Sequence, residues 1–258
     1  MTAARKLRND RPMAESADAQ TSTTGHLLNG RVRYSQPKDG FRSGIEPVLL
    51  AAAVPARPGE RVLEAGTGAG AALLCLAARV ADVQGVGVER DACLVTLAEQ
   101  NAVANGWPGL RFIAADMASL PDLGAFDHAC ANPPYHADGT ASPDASRQAA
   151  KRASAELLSV WTAAMAKPLR PRGTLSVVLP AALLPLAISA LIDAGCQPAA
   201  MLPLWPKAGR AAKLLLLRGV KGGRMPFRVA AGIVLHADDG RFTPEADAVL
   251  RRGSQLDY

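Results

Sequence analysis

The residues best suited to chemistry are Asn132-Pro133-Pro134-Tyr135, which follow the mostly apolar run Phe126 to Ala131. That pattern predicts a buried strand ending at Ala131 and a backbone that then locks. Each proline fixes its own φ at about −65° and biases the residue before it toward extended geometry. The side-chain amide of Asn132 and the carbonyl of Pro133 can thus be held as two acceptors beside one point, with an aromatic ring close by. Such a site suits a planar NH2 group, whose two hydrogens need two acceptors while its ring stacks on Tyr135. An exocyclic amine is a poor nucleophile because its lone pair is delocalised into the ring. Two acceptors on its hydrogens pull the nitrogen toward tetrahedral geometry and stabilise the charge that develops as it attacks. This is positional and electrostatic catalysis with no dedicated general base. A rigid strand-to-loop corner is the competing reading of the tetrapeptide taken alone.

A second stretch, Glu64-Ala65-Gly66-Thr67-Gly68-Ala69-Gly70, stands where a strand should turn into a helix. Glycines there let a ligand approach the backbone over a helix N-terminus. By itself the run is ambiguous, since Gly66-x-Gly68-x-x-Ala71 also satisfies the dinucleotide fingerprint. Glu89, at the end of the next predicted strand, suits ribose hydroxyls in either class. Two details favour S-adenosylmethionine over a nicotinamide dinucleotide. Glu64 sets a carboxylate in the strand itself, where it can meet the positive amino-acid end of the ligand and would repel pyrophosphate. Asp116, after a third strand, can accept from an adenine amino group, with Met117 packing on the ring.

The elements that must position these residues alternate. Strands are expected at Arg61 to Ala65, Val86 to Glu89, Leu110 to Ala115, Phe126 to Ala131 and Thr174 to Leu179. Helices are expected at Ala69 to Val80, after a cap at Asp91 and up to Asn105-Gly106, over Arg147 to Lys167, and over Ala181 to Ala194. This βαβ rhythm calls for an α/β fold with a doubly wound, mostly parallel, Rossmann-like sheet. Upstream, Ser43-Gly44-Ile45-Glu46 has the pattern of a capping box opening an apolar helix to about Val54. The ending differs. Ala199 to Trp205, Ala212 to Arg218 and Phe227 to His236 are extended segments with short links, expected to form an antiparallel C-terminal edge. Residues 1–25, rich in Ala, Ser, Thr and Asp, are expected to be a disordered arm, leaving 26–258 as one domain with its C-terminal extension.

Composition narrows the function classes. Of 258 residues, 49% are hydrophobic and 20% charged, enough for a full core. No apolar run approaches the roughly 20 residues of a membrane span, and no hydrophobic segment follows the basic N-terminus. Cys75, Cys93, Cys130 and Cys196 form no CxxC pair, which argues against a zinc site or disulfide framework and for a reducing cytoplasm. The four histidines show no metal-ligand spacing. Formal net charge is +6 and the pI about 9.4, which suits a polyanionic partner. The basic excess is concentrated: residues 194–237 hold no acid, while Lys207, Arg210, Lys213, Arg218, Lys221, Arg224 and Arg228 all fall there. That tract reads as a phosphate-backbone surface, with charge protection of an edge strand as its competitor. Nothing in the sequence requires an obligate protein partner.

Glu64 to Gly70, Glu89, Asp116 and Asn132 to Tyr135, in that order and spacing, resemble a class I S-adenosylmethionine-dependent methyltransferase with the NPPY amino-methylating signature. The flanks resemble the bacterial valine-tRNA adenine-N6 methyltransferase family: Gln36-Pro37-x-x-Gly40-Phe41-Arg42, Pro203 to Arg210, and Leu235 to Glu245. The likeness covers about His26 to Arg251. It implies an adenosine of tRNA as acceptor and catalytic roles for Asn132, Pro133, Pro134 and Tyr135. It also implies S-adenosylmethionine held by Arg42, Glu64, Gly66, Thr67, Gly68, Gly70, Glu89, Asp116, Met117 and Asn132. RNA contacts fall to Lys207, Arg210, Lys213, Arg218, Lys221 and Arg224. Two departures stand out: Glu46 where the family has Asp, and His136 where an aromatic is usual. A glutamine-amide methyltransferase and a non-catalytic RNA binder are the alternatives, the second at odds with an intact Asn132 to Tyr135.

Overall fold

The computed structural model describes residues 22–38, 43–135 and 143–258, the backbone alone over 143–152. An antiparallel hairpin comes first, β1 (Ser22–Leu27) against β2 (Val32–Pro37), with Leu27 opposite Val32. Regular structure therefore starts at Ser22 and not at His26. β1 has no apolar alternation to read from sequence and buries none of its residues fully. Its order comes from β2, which buries Val32 and Tyr34 on its inner face. Residues 1–21 of the expected arm, and Arg42, lie outside the described residues.

α1 (Glu46–Ala53) is buried from Pro47 onward, but it has no capping box. Ile45 is the N-cap and offers no side-chain acceptor. Pro47 in the first turn removes a backbone N–H that a cap would otherwise serve. Ser43 is used elsewhere: its hydroxyl meets Tyr34 Oη at 2.8 Å, and its N–H donates to Gln36 Oε1 at 3.1 Å.

The main sheet contains β3 (Arg61–Ala65), β4 (Gln84–Glu89), β5 (Leu110–Ala114), β6 (Phe126–Ala131) and β7 (Leu169–Pro180), parallel and in the order β5-β4-β3-β6-β7. The connecting helices are α2 (Ala71–Ala77), α3 (Ala92–Ala104), α4 (Pro143–Ala166) and α5 (Leu184–Asp193). Helices α1 to α3 cover one face and α4 and α5 the other, giving two cores separated by the sheet. This is why β3 buries Val62 on one face and Leu63 and Ala65 on the other, and β6 buries Cys130 on one face and Ala129 and Ala131 on the other. Asp91 caps α3 as expected, accepting from Cys93 N at 2.8 Å, and Asn105-Gly106 ends it. Among the described residues no helix is long and apolar enough to cross a membrane.

β8 (Cys196–Lys207) and β9 (Leu214–Lys221) form the expected antiparallel edge, β9 lying between β7 and β8. The third segment corrects the expectation. It splits into β10 (Arg228–Val229) and β11 (Ile233–His236), both parallel to β8 on its outer side. Lys221 pairs with Cys196, so the chain leaves β9 beside the start of β8. Stepping over that one strand takes few residues and delivers the chain in the direction of β8. A short link forbids a parallel neighbour for β9; it does not forbid a parallel partner for β8. α6 (Pro244–Arg252), capped by Thr243 Oγ1 accepting from Ala246 N, packs back toward α1, and Leu256 N–H donates to Ala52 O at 2.8 Å.

Candidate active site at the carboxyl edge of the sheet

Strand register assembles the site. Ala65 pairs with Val88 on one side and with Ala131 on the other. Gly66, Glu89 and Asn132 therefore leave three adjacent strands together, at the strand spacing of about 4.8 Å. Ala115 N–H donates to Glu89 O at 2.9 Å, which brings Asp116 to the same edge. This is the edge where open α/β sheets bind ligands.

On the β3–α2 side the polar groups are tied down by the chain itself. Thr67 Oγ1 donates to Glu64 Oε2 at 2.6 Å, and Gly68 N–H to Glu89 Oε2 at 3.1 Å. The other Glu89 oxygen accepts from Arg90 N at 2.9 Å and Asp91 N at 3.1 Å. Gly66 and Gly68 both have positive φ, and each needs to be glycine for a different reason. A Cβ on Gly66 would overlap the Trp161 ring of α4, whereas one on Gly68 would project into open space beside the cleft. Asp116 accepts from Ala118 N at 2.8 Å and starts a short turn that buries Met117.

Glu64 tests whether S-adenosylmethionine fits. The carboxyl is 3% exposed and has no cation beside it among the described residues. Burial raises its pKa to about 7, against the lowering effect of the Thr67 hydroxyl and the Leu73 N–H, and Glu89 adds to the rise. A cationic group in the cleft would relieve that cost, and a phosphate would deepen it. The ammonium end of S-adenosylmethionine meets the requirement; a dinucleotide does not.

The β6 side is different. The Asn132 side chain makes no hydrogen bond to another described residue and is partly exposed. Pro133 is buried and Pro134 exposed, which holds the corner rigid. Tyr135 packs against the core that contains Met117 and Leu158. Its hydroxyl is buried with no partner among the described residues, and burial pushes its pKa up.

Two features escaped the sequence reading. Asn101 on α3 and Asn105, its C-cap one turn later, hold β2 by its backbone. Asn101 also reaches Ala69 in the glycine loop. A pair of amides on the otherwise apolar face of Val95, Ala98 and Ala102 was the available signal. Trp161 on α4 was the other, a large aromatic opposite a glycine.

The basic tract is not one surface. Arg218 is part-buried, donates to Tyr258 O at 2.9 Å and to Ala53 O, and lies over the Tyr258 ring. Lys221 Nζ donates to Ala166 O, Lys167 O and Leu169 O, closing the carboxyl end of α4. Both hold the fold together. Lys207, Arg210 and Lys213 belong to the β8–β9 turn, which lies at the carboxyl edge because Pro180 pairs with Leu214, and Leu214 with Leu204. Arg224 follows β9 at the opposite edge. His128, whose ring nitrogens contact Thr174 Oγ1 and Glu60 Oε2 at 2.8 and 2.9 Å, is likewise structural and far from the site.

Residues 45–183 match the model of the family described as methyltransferase small domain. A protein named tRNA1(Val) (adenine(37)-N6)-methyltransferase from Tolumonas auensis is 34% identical over 147 residues, 56% of this chain and 62% of that protein. One of the same name from Aeromonas hydrophila is 31% identical over 209 residues, 79% of this chain and 86% of that protein. The chain thus spans less than two thirds of the Tolumonas relative and most of the Aeromonas one. Among solved structures, a predicted O-methyltransferase from Agrobacterium tumefaciens superposes with a TM-score of 0.69 at 21% identity, covering 82% of this chain and 98% of that chain, a likeness of fold. With the buried acid, the glycine loop and the parallel sheet in place, the chain belongs to the methyltransferase small domain family, whose methyl donor is S-adenosylmethionine.

Proposed function

We propose that this protein methylates an exocyclic amino nitrogen, N6 of an adenosine in tRNA. One observation carries the reading: the Asn132 amide has no partner within the described chain and stands one strand away from the glycine loop. When bound, S-adenosylmethionine supplies an electrophilic methyl group. Glu64 meets its ammonium end, Glu89 its ribose hydroxyls, and Asp116 its adenine amino group, while the backbone at Gly66, Thr67, Gly68 and Gly70 shapes the cradle. Asn132 Oδ1 and the Pro133 carbonyl accept the two hydrogens of the acceptor amine and orient its lone pair. The C–N bond would form as the sulfonium C–S bond breaks and leaves a neutral thioether; the nitrogen then carries the positive charge, and its extra proton leaves to water. Tyr135 and Pro134 wall the flat base, which must be presented unstacked.

The names carried by the Tolumonas and Aeromonas relatives support tRNA as the acceptor. The charge at the carboxyl edge supports it too, and Lys207, Arg210 and Lys213 are the phosphate contacts we assign. Four free cysteines support a reducing, cytoplasmic setting. The test is in vitro methylation of unmodified tRNA read by nucleoside mass spectrometry. N6-methyladenosine is expected, and the paired change Arg210→Ala/Lys213→Ala should flatten the log–log salt dependence by about 0.7–0.9 per lost contact. Arg224→Ala/Arg228→Ala should leave it unchanged. Methylated glutamine in a protein substrate, with no modified nucleoside, would replace this reading.

A further inference from the structure

Asn101 and Asn105 treat β2 as a sheet neighbour would. Asn101 Oδ1 accepts from Ser35 N at 2.8 Å, and its Nδ2 donates to Ser35 O at 2.8 Å. Asn105 repeats the pair on Arg33, with Oδ1 accepting from Arg33 N at 2.9 Å and Nδ2 donating to Arg33 O at 2.7 Å. The spacings agree. Four residues of helix rise about 6 Å, and two residues of strand advance about 6.6–6.8 Å. Each side-chain amide thus stands in for one peptide group of a missing strand.

Asn105 Nδ2 also donates to Asn101 O at 2.7 Å, on its own helix, whereas Asn101 reaches a third element. The Asn101 Nδ2 donates to Ala69 O at 3.0 Å, and both residues are buried. Ala69 is in the loop whose neighbour Gly70, in left-handed geometry, opens α2. Ser35 is followed by Gln36, whose side chain holds Ser43 N. One buried amide therefore joins the glycine loop to the hairpin and, through the next residue, to Ser43. We propose that Asn101 is a positioning residue for the cofactor loop: it fixes the Ala69 peptide against the N-terminal hairpin, so that the Gly66–Gly70 backbone is already in its binding shape before the ligand arrives. The hairpin is then a support of the cofactor site, not an appendage. This rests on the assignment of the 66–70 loop to S-adenosylmethionine.

The experiment compares the parent protein with Asn101→Ala and Asn105→Ala, all as full chains. Asn105→Ala removes the same type of clamp on β2 without touching the glycine loop. Affinity for S-adenosylhomocysteine is measured by calorimetry, and hydrogen exchange is followed at the amides of Thr67 to Leu74. Losing one buried hydrogen bond to the loop should weaken cofactor binding roughly 3- to 10-fold in Asn101→Ala. The KM for S-adenosylmethionine should rise by that factor with kcat less affected, and the loop amides should exchange faster. Asn105→Ala should stay within about twofold of the parent in affinity, with faster exchange confined to β2. Should Asn101→Ala not fold, Asn101→Asp carries the same expectation, because it keeps the acceptor for Ser35 N and loses the donor to Ala69 O. Equal weakening by Asn101→Ala and Asn105→Ala, or none by the Asn101 variant, overturns the proposal. A parent that does not bind S-adenosylhomocysteine overturns the loop assignment itself.

Discussion

The two corners that flank the Ala65–Ala131 pair satisfy their polar groups in opposite ways. At the β3–α2 corner Thr67 is linked to Glu64 and Gly68 to Glu89, and Asn101 braces the loop from behind. At the β6 corner Asn132 has no partner among the described residues, and the Tyr135 hydroxyl is buried without one. Unmet hydrogen-bonding capacity beside a rigid backbone is what a substrate can supply, whereas a fully linked loop is built before any ligand binds. In the function we propose, one corner is preorganised for a cofactor and the other is completed by its acceptor. That division can be broken by measurement.

The largest effect should come from Asn132→Ala. Removing one aligned acceptor should lower single-turnover methylation by about 10²–10³, with S-adenosylhomocysteine affinity nearly unchanged. Parental turnover in this variant would mean that the β6 corner does not orient the amine. The next effect is a pH dependence of about tenfold, located at the other corner. Glu64 has its pKa raised to about 7 in the folded protein from 4.5. Its protonated form therefore favours the ligand-free fold, and that contribution to stability is full below the unfolded value and declines as pH rises toward 7. The ionised form is the one that meets an ammonium group. Cofactor affinity should fall about tenfold per pH unit below 7 and level off above it. Glu64→Gln should bind weakly with no such slope. If the parent shows no slope either, Glu64 does not face the charged end of the ligand. Tyr135→Phe should change least. Deleting an unpartnered buried hydroxyl should stabilise the protein by up to about 1 kcal/mol in thermal unfolding and leave turnover close to parental. A marked loss of turnover would give the hydroxyl a role in the chemistry.

The placement of the candidate site was legible in the sequence because its residues are strand-end residues. Glycine at 66, 68 and 70 reports backbone geometry, and strand periodicity puts Glu89, Asp116 and Asn132 at one edge without further information. Ser43 misled for a local reason. Its spacing to Glu46 is that of a cap, but Tyr34 takes its hydroxyl and Gln36 its backbone N–H, and both come from a strand in front of it. The basic tract misled for a topological one. Lys213 and Lys221 are eight residues apart on one antiparallel strand and its lead-in, so they stand at opposite ends of the sheet. Composition counts them together and the fold separates them. The Asn101 and Asn105 clamps join side chains to backbone across 66 and 72 residues of sequence, and no pattern of residue types encodes such pairs.

The docking of Leu256 on Ala52, and of Tyr258 beneath Arg218 next to Ala53, sets a clock on synthesis. α1 is made early, yet part of its cover lies about 200 residues later in the chain. At about 5–20 residues per second the ribosome needs on the order of 10–40 s to deliver it. Through that interval a helix buried from Pro47 to Ala53 in the folded protein has an incomplete partner surface, which is closed only when Leu256 and Tyr258 emerge.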